Sequence, residues 1–236
     1  MTTTASPLEH LSLAVVDRLA LGELGVVAAR AGVGKTACLV QLALTDLLAE
    51  RPVLHVALDA PVREVQSWYD RLLEEAIRRG YFPEHASLPD LRLSLERHRH
   101  IHSYLQQGFT AARLGEAVAL MADVMDFLPH TVVVDGFPFE VARQDAVADL
   151  RSLAKERGFR LWLSALTHRH EQEDPQTGLP QAVAPFAAHM DLVLRLSPDG
   201  ERMCLTVLRD HGRPGEEEGA LALDPASLLV TQRAAP

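Results

Sequence analysis

The segment 29–36, which reads Ala-Arg-Ala-Gly-Val-Gly-Lys-Thr, has the residue types needed to hold phosphate groups. Successive backbone N–H groups of a glycine-containing loop can surround phosphate oxygens, and a helix that follows adds the positive end of its dipole. The Lys35 amine can reach the outer phosphates, and the Thr36 hydroxyl can ligate Mg²⁺. The usual pattern begins with glycine where this chain has alanine, but two later glycines keep the loop permissive. The predicted phosphate-binding residues are Arg30, Ala31, Gly32, Val33, Gly34, Lys35, Thr36 and Ala37.

Two acidic residues follow apolar stretches that have the composition of buried strands. Asp135 comes directly after Thr-Val-Val-Val, and Asp59 directly after Val-Leu-His-Val-Ala-Leu. Hydrolysis at a phosphate site needs a carboxylate that holds the Mg²⁺ shell and a group that orients or deprotonates water. We predict the first role for Asp135, which makes Thr36 and Asp135 the metal ligands, and the second role for Asp59. An aspartate that forms a turn at a strand end is the simpler alternative for both.

Apolar strands alternate with amphipathic helices along most of the chain, which is typical of a mostly parallel sheet covered on both faces. An Asp-Gly turn near residue 200 then joins two strands into a hairpin, and a second short strand pair follows. The predicted strands are 24–29, 53–58, 131–134, 159–166, 192–196, 203–209, 220–223 and 228–230. The predicted helices are 35–49, 61–79, 110–127 and 140–157.

Two regions have weaker patterns. Residues 80–107 contain two prolines and a histidine-rich patch, so we predict an irregular connection with one strand around 91–95. His98, His100 and His102 alternate and would share one strand face, but without an evident acidic or Cys partner a solvated patch is favoured over a metal site. Residues 168–189 are predicted to be a long loop with a short helix, whose acidic residues would repel nucleic acid and suit protein contacts.

The composition is that of one globular domain, because 236 residues with 47% hydrophobic and 23% charged residues can bury a single substantial core. No apolar run is long enough to span a bilayer, and the first ten residues lack the pattern of a secretory signal. The two cysteines are far apart and form no metal or redox spacing. We therefore predict a cytoplasmic protein. Its net charge of −9 disfavours a dedicated nucleic-acid binder without excluding a local basic channel.

The chain resembles the RecA-like ATPases, in particular the DnaB-type hexameric helicase motor, and is similar to the KaiC-type ATPases. The resemblance lies in LGVVAARAGVGKTACLVQLAL, PVLHVALDAP, TVVVDG, LRSLAKERGFRLWLSALTHR, MDLVLRL and LTVLRDHGRPG, and it covers most of residues 20–230 except 80–107. It implies an α/β fold: a three-layer P-loop NTPase whose mostly parallel central sheet is finished by C-terminal antiparallel strands. One domain, 1–236, would contain a core at about 20–231 and the irregular insertion at about 80–107.

The resemblance also implies site residues, and three of them depart from the family pattern. The catalytic glutamate of the family falls on Asp59, and the polar sensor, usually Gln, falls on Ala165. The Lys-x-Arg finger pair falls on Arg209 and His211. Arg209 can neutralise charge on the γ-phosphate of a neighbouring subunit, whereas His211 can do so only when protonated or as a neutral donor. The predicted catalytic residues are Lys35, Asp59, Asp135, Arg209 and His211.

These features predict a slow or partner-stimulated ATPase that uses ATP and Mg²⁺ and acts as a homo-oligomer, such as a ring, with nucleotide at subunit interfaces. A nucleotide-dependent switch or scaffold with little hydrolysis is one alternative, and it fits the acidic composition and the departures at residues 59 and 165. A DNA-dependent motor or a recombination or replication accessory is another, but no counterpart of the helicase's N-terminal domain or linker helix is evident. A protein partner is therefore expected, and a nucleic-acid partner is not favoured. The preference for ATP over GTP follows only from the resemblance.

Overall fold

A computed structural model describes residues 7–82, 86–168, 173–200, 202–215 and 221–232. This part of the chain forms an α/β fold with six α-helices and one mixed sheet of ten strands. The strands are β1 Leu24–Arg30, β2 Val53–Leu58, β3 Arg99–Tyr104, β4 Thr131–Asp135, β5 Arg160–Thr167, β6 Leu192–Asp199, β7 Arg202–Asp210, β8 Arg213–Pro214, β9 Leu221–Leu223 and β10 Val230–Gln232. The helices are α1 Pro7–Ala14, α2 Lys35–Leu48, α3 Val62–Arg78, α4 Leu88–Glu96, α5 Ala111–Met125 and α6 Ala146–Arg157.

The strand order is β10-β9-β7-β6-β1-β5-β4-β2-β3, with β8 paired to β7. The strands from β6 to β3 are parallel to one another, and β7, β9 and β10 continue the sheet in antiparallel pairs. The prediction of a mostly parallel sheet finished by antiparallel strands is therefore confirmed. Because the carboxyl ends of parallel strands meet at one edge, the loops that follow β1, β2, β3, β4 and β5 lie together.

Helices cover both faces of the sheet, an arrangement compatible with three layers. On one face the core contains buried residues of α1, α2 and α3, including Leu42 and Tyr69. On the other face it contains buried residues of α5 and α6, including Val118 and Leu150. Strand β1 supplies both cores, since Val27 faces the first and Val26 the second. A near-continuous apolar sequence in β1 follows from this double burial.

Helix α2 is held on its outer side by segments from both ends of the described chain. Helix α1, which the sequence pattern did not predict, packs against α2 and β10. The buried Gln41 side chain donates to the Leu228 carbonyl at 2.8 Å and accepts from the Val230 amide at 2.7 Å. These bonds satisfy a buried amide, which is costly to leave without partners. They also attach β10 to the helix that begins at Lys35.

A buried ion cluster fixes the other end of α2. The Asp46 side chain is fully buried, and Thr131 donates a hydrogen bond to it. Arg51 Nε lies 2.8 Å from Asp46 Oδ1, and Arg160 NH1 lies 3.5 Å from the same atom. Burying a carboxylate costs free energy unless cations and donors surround it in this way.

Two sequence predictions about elements were wrong. The segment 91–95 was expected to be a strand but lies in α4, and the strand of this region is Arg99–Tyr104 at the sheet edge. Helix α4 begins where the Ser87 side chain accepts from the Asp90 amide, and a proline stands in its first turn, where its missing N–H costs nothing. The predicted helix 140–157 begins only at Ala146, because the preceding residues form a loop anchored by Phe137 and Phe139.

The loop after β5 matches its prediction where it is described. A short 3₁₀ helix, Ala184–His189, ends it, and Asp174 caps a turn by accepting from the Thr177 amide at 2.8 Å. Residues 169–172, which include part of the acidic stretch considered for protein contacts, lie outside the described residues. Within the described ranges, none of the helices has the length and apolar character needed to cross a membrane.

Candidate functional site

The loop between β1 and α2 has the backbone conformation that its glycines allow. Gly32 and Gly34 have φ values of +76° and +100°, in the region that L side chains rarely adopt. Gly34 is the residue before the first helical residue, and its carbonyl accepts the first helical bond from Cys38 at 2.9 Å. The first turn of α2 contains no acidic residue, so no side chain of that turn neutralises the positive end of the helix dipole. This loop can therefore present backbone N–H groups to an anion.

Lys35 crosses the loop. Its Nζ donates to the carbonyl oxygens of Ala29 at 3.2 Å and Arg30 at 3.1 Å. An ammonium group has three donors, so one remains for a ligand, since no further partner is found among the described residues. Burial lowers the Lys35 pKa, and the nearby Asp135 carboxylate partly offsets that effect. The amine is thus held at the mouth of the loop, close to a carboxylate.

Two hydroxyl groups donate hydrogen bonds to the Asp135 side chain, and a third hydrogen bond holds one of these hydroxyls. The Thr36 hydroxyl donates to Asp135 Oδ2 at 2.6 Å, and the Ser164 hydroxyl donates to Asp135 Oδ1 at 2.7 Å. The Gly136 amide in turn donates to the Ser164 hydroxyl at 2.7 Å. The loop residue, the end of β4 and the middle of β5 are therefore joined in one polar network.

The oxygen atoms of Thr36 and Asp135 fit a magnesium ion. Mg²⁺ prefers hard oxygen ligands and is usually held by one or two protein oxygens, with water and phosphate oxygens completing the octahedron. A hydroxyl and a carboxylate 2.6 Å apart provide such a pair. Across the described ranges, no three His, Cys, Asp or Glu side chains gather into a further metal-binding group. In the histidine-rich segment, His100 packs edge-on against Phe127 with ring centres 4.5 Å apart.

The Asp59 side chain bonds to the turn that follows the edge strand β3. Asp59 follows β2 with a φ of +58°, and its side chain is exposed. Its Oδ1 accepts from the Gln106 amide at 2.9 Å, while its own amide donates to the Tyr104 carbonyl at 2.9 Å. The carboxylate therefore closes the turn that follows β3.

Gln106 and Ser164 are two polar residues of this region that the sequence pattern did not indicate. Both line an open cleft of about 390 Å³ whose other polar groups include Lys35 and Asp135. The remaining lining comes from the loop after β4, in particular Gly136, Phe137, Pro138, Phe139, Glu140 and Val141, and from Leu166. A signal for Ser164 did exist, since it directly precedes the position on which the family's polar sensor falls.

Ser164 and Ala165 lie on opposite faces of β5, because successive side chains of a strand alternate. Ser164 bonds to Asp135, whereas the fully buried Ala165 belongs to the core that contains α5 and α6. The sensor position inferred from the resemblance is therefore apolar, and the hydroxyl one residue earlier contacts the carboxylate. A one-residue shift is enough to exchange the two faces.

The two predicted finger residues lie far from this cleft within the chain. His211 Nε2 lies 3.0 Å from Glu23 Oε2, and Glu23 directly precedes β1, whereas the glycine loop follows β1. The seven residues of β1 span about 20 Å. His211 Nδ1 also lies 2.6 Å from Asp210 Oδ1, and these acidic partners raise its pKa. Arg209 pairs in register with Val193 near the start of β6, at the same end of the sheet.

Neither a protein-family model nor a curated protein matches the chain.

Proposed function

We propose that this chain is a P-loop ATPase of the RecA-like class, which binds a nucleoside triphosphate with Mg²⁺ and hydrolyses it. The observation that carries the proposal is the 2.6 Å hydrogen bond between the Thr36 hydroxyl and Asp135. A hydroxyl at the start of a helix that follows a glycine loop, bonded to a carboxylate at a strand end, is the pair that a Mg²⁺-bound phosphate requires. Lys35 beside this pair supplies the cation for the phosphates.

Different residues of the chain bind the phosphates and orient the carboxylate. The backbone N–H groups of residues 32–37 hold the phosphate oxygens, and Lys35 offers its remaining donor to the terminal phosphate. Ser164 keeps Asp135 in one orientation by bonding to the oxygen that Thr36 does not use. Thr36 and Asp135 would hold the magnesium ion, which would supply positive charge next to the phosphate oxygens. Hydrogen bonds within the chain hold Thr36, Asp135 and Ser164 together, so these groups need little reorganisation in the reaction.

The proposal includes an oligomer in which Arg209 serves the nucleotide of a neighbouring copy. Arg209 lies beside the start of β6, at the amino end of the parallel strands, whereas the phosphate loop lies at their carboxyl end. Arg209 therefore cannot reach the cleft of its own chain. His211 is engaged by Asp210 and Glu23, so we assign the finger role to Arg209 and a supporting role to His211. Arg209→Ala is then expected to lower turnover while nucleotide affinity is kept. Unchanged turnover in a verified oligomer would contradict this part of the proposal.

The test of the proposed activity is steady-state ATP turnover by the purified protein, with Lys35→Ala as the blank. Turnover and nucleotide binding that require Mg²⁺ and disappear in Lys35→Ala would support the proposal. Binding or turnover that is the same in both proteins would overturn it. Adding single-stranded DNA tests for a nucleic-acid partner, because a DNA-dependent motor is expected to raise its ATP turnover several-fold. This response should fall steeply as the salt concentration rises, as expected for a protein that makes about six or more phosphate contacts.

A nucleotide-dependent switch is the second candidate, and the position of Asp59 favours it. The exposed Asp59 carboxylate bonds to the turn after β3 and is not among the groups that line the cleft, so in this candidate function it does not act as a base. A site that binds nucleotide without an efficient base would hydrolyse slowly and act by assembly or partner binding. Light scattering with ATP, ADP and Lys35→Ala would test this. Assembly that is the same in all three conditions would exclude the switch.

A further inference from the structure

We infer that Gln106 orients the attacking water in the cleft, and that Asp59 is a positioning residue that acts through Gln106. The inference rests on the proposed ATPase function and names the group that performs one step of it. In this inference Gln106 takes the water-orienting role that the sequence analysis predicted for Asp59.

The position of Gln106 comes from the sheet order. It begins the 3₁₀ turn Gln106–Gly108 that follows β3, the edge strand, and β2 separates β3 from β4. Its side chain nevertheless reaches the end of β4, where Nε2 donates to the Gly136 carbonyl at 2.9 Å. Gly136 directly follows Asp135. The Gln106 amide therefore lies over the carboxyl edge of the sheet, beside the predicted magnesium ligand and in the same cleft as Lys35.

The side-chain amide has the chemistry needed to orient water. Its nitrogen is used by the Gly136 carbonyl, and turning the amide over would bring two carbonyl oxygens together. The oxygen Oε1 then has no hydrogen-bond partner among the described residues and can accept a hydrogen atom from water. An amide is too weak a base to remove a proton, so it can only direct the water, which is the part that glutamine plays in other phosphoryl transfers.

The step balances without a protein base. The water oxygen forms a bond to the γ-phosphorus while the bond from that phosphorus to the bridging oxygen breaks, and the electron pair leaves with the diphosphate. The water proton passes to an oxygen of the released phosphate. Gln106 is unchanged, and no oxidant or reductant takes part.

Asp59 holds the backbone from which the Gln106 side chain extends towards the cleft. Its Oδ1 accepts the backbone N–H of Gln106 at 2.9 Å, which holds the first residue of the turn. The left-handed backbone of Asp59, with φ of +58°, directs its carboxylate to that amide. Loss of the acceptor would release the turn and misplace the Gln106 side chain. A misplacement of about 1 Å can cost about 100-fold in rate.

The experiment compares two variants at each residue, with Mg-ATP affinity measured beside kcat. Asp59→Asn keeps an acceptor oxygen and tolerates positive φ, whereas Asp59→Gly tolerates the same backbone but removes the acceptor. We expect Asp59→Gly and Gln106→Ala to lower kcat by about 100-fold with nucleotide affinity changed less than about twofold. Asp59→Asn should rescue most of the rate that Asp59→Gly loses. The double variant should be no slower than Gln106→Ala alone, because both act on one group.

The opposite pattern would overturn the inference. A direct base at residue 59 predicts that Asp59→Asn is as slow as Asp59→Gly, because neither can accept a proton, and that Gln106→Ala retains its rate. If Gln106→Ala fails to fold, the comparison of the two Asp59 variants still decides the matter. Failure of the proposed function is distinguishable, since the unmodified protein would then show no Mg-ATP binding or turnover above Lys35→Ala.

Discussion

The Thr36 hydroxyl donates to Asp135 Oδ2 at 2.6 Å, although β5 lies between the strands that lead to these two residues. The distance is spanned because α2 begins over the carboxyl edge of the sheet and Ser164 on the intervening strand bonds to the other carboxylate oxygen. The contact therefore depends on the placement of β1, β5 and β4. It is the geometric basis of the proposed magnesium site.

Removing this hydroxyl should weaken the magnesium-dependent part of nucleotide binding. Thr36→Val keeps the branched shape but removes the oxygen, so we expect Mg-ATP affinity to fall by about tenfold or more, as for a hydrogen bond to a charged group. Titration calorimetry with and without EDTA measures this. Thr36→Ser, which keeps the hydroxyl, is the matched control and should bind as the unmodified protein does. Equal affinities in the Val and Ser variants would contradict the assignment.

The conformation of Gly32 should matter to binding beyond its effect on stability. Gly32 and Gly80 have nearly equal φ values, +76° and +75°, and an added Cβ would meet no atom within 4 Å at either position. Gly32→Ala and Gly80→Ala should therefore each lower the free energy of unfolding by about 1–2 kcal/mol. Only Gly32→Ala should also weaken Mg-ATP binding, because strain there turns the loop amides away. Denaturant melts and nucleotide titrations of both variants test the difference, and a similar affinity loss at Gly80 would refute it.

The buried carboxylate of Asp46 should be essential to stability. Asp46→Ala leaves the buried Arg160 guanidinium without its anionic partner, so the free energy of unfolding should fall by about 3–5 kcal/mol. Asp145→Ala is the control, because it breaks an ion pair with Arg143 that lies exposed on the surface. That variant should unfold at nearly the same urea concentration as the unmodified protein. A loss at Asp46 no greater than at Asp145 would show that the cluster contributes little.

The ion pairs of His211 should make stability depend on pH in a definite direction. Asp210 and Glu23 raise its pKa in the folded state above the ordinary value of about 6.5. The stabilisation is therefore complete below pH of about 6.5 and is lost as the pH rises through the raised folded pKa. His211→Asn, which tolerates the positive φ of 48°, removes it.

The measurement for His211 is the difference in free energy of unfolding between the two proteins across this range. We expect the unmodified protein to be more stable by up to about 1 kcal/mol on the acidic side, as for a partly exposed ion pair. The difference should vanish on the alkaline side. A difference that grows with pH would contradict the assigned direction.

The main strands could be predicted because they are buried on both faces. A strand such as β1 or β4 reads as a short apolar run. A glycine-containing loop follows β1, and β4 ends at Asp135, so both carboxyl ends are marked in the sequence. The region before β3 was harder, since the leucines of α4 fit more than one pattern over so short a segment. Its better signals were local: Ser87 three residues before an acid, with a proline in the first turn.

The candidate site could be predicted in part for a related reason. Lys35, Thr36 and Asp135 are adjacent to strand ends, so their meeting follows from parallel pairing. Gln106 lies in a turn whose direction depends on the left-handed conformation of Asp59, which a sequence pattern does not specify. Ser164 differs from its neighbour only by the face of the strand, and that depends on register.

Strand β1 pairs, within the described structure, only with β5 and β6, so that Leu24 lies beside Leu161 and Gly25 beside Leu192. Contacts between residues so distant in sequence require large loops to close and therefore form slowly. The glycine loop is synthesised before β5 and β6, so the strand that supports it has no partner until these two strands have been made. The sheet around the glycine loop can therefore form only after β5 and β6 have been synthesised, and a nascent chain that ends before β5 lacks both strands that support the proposed site.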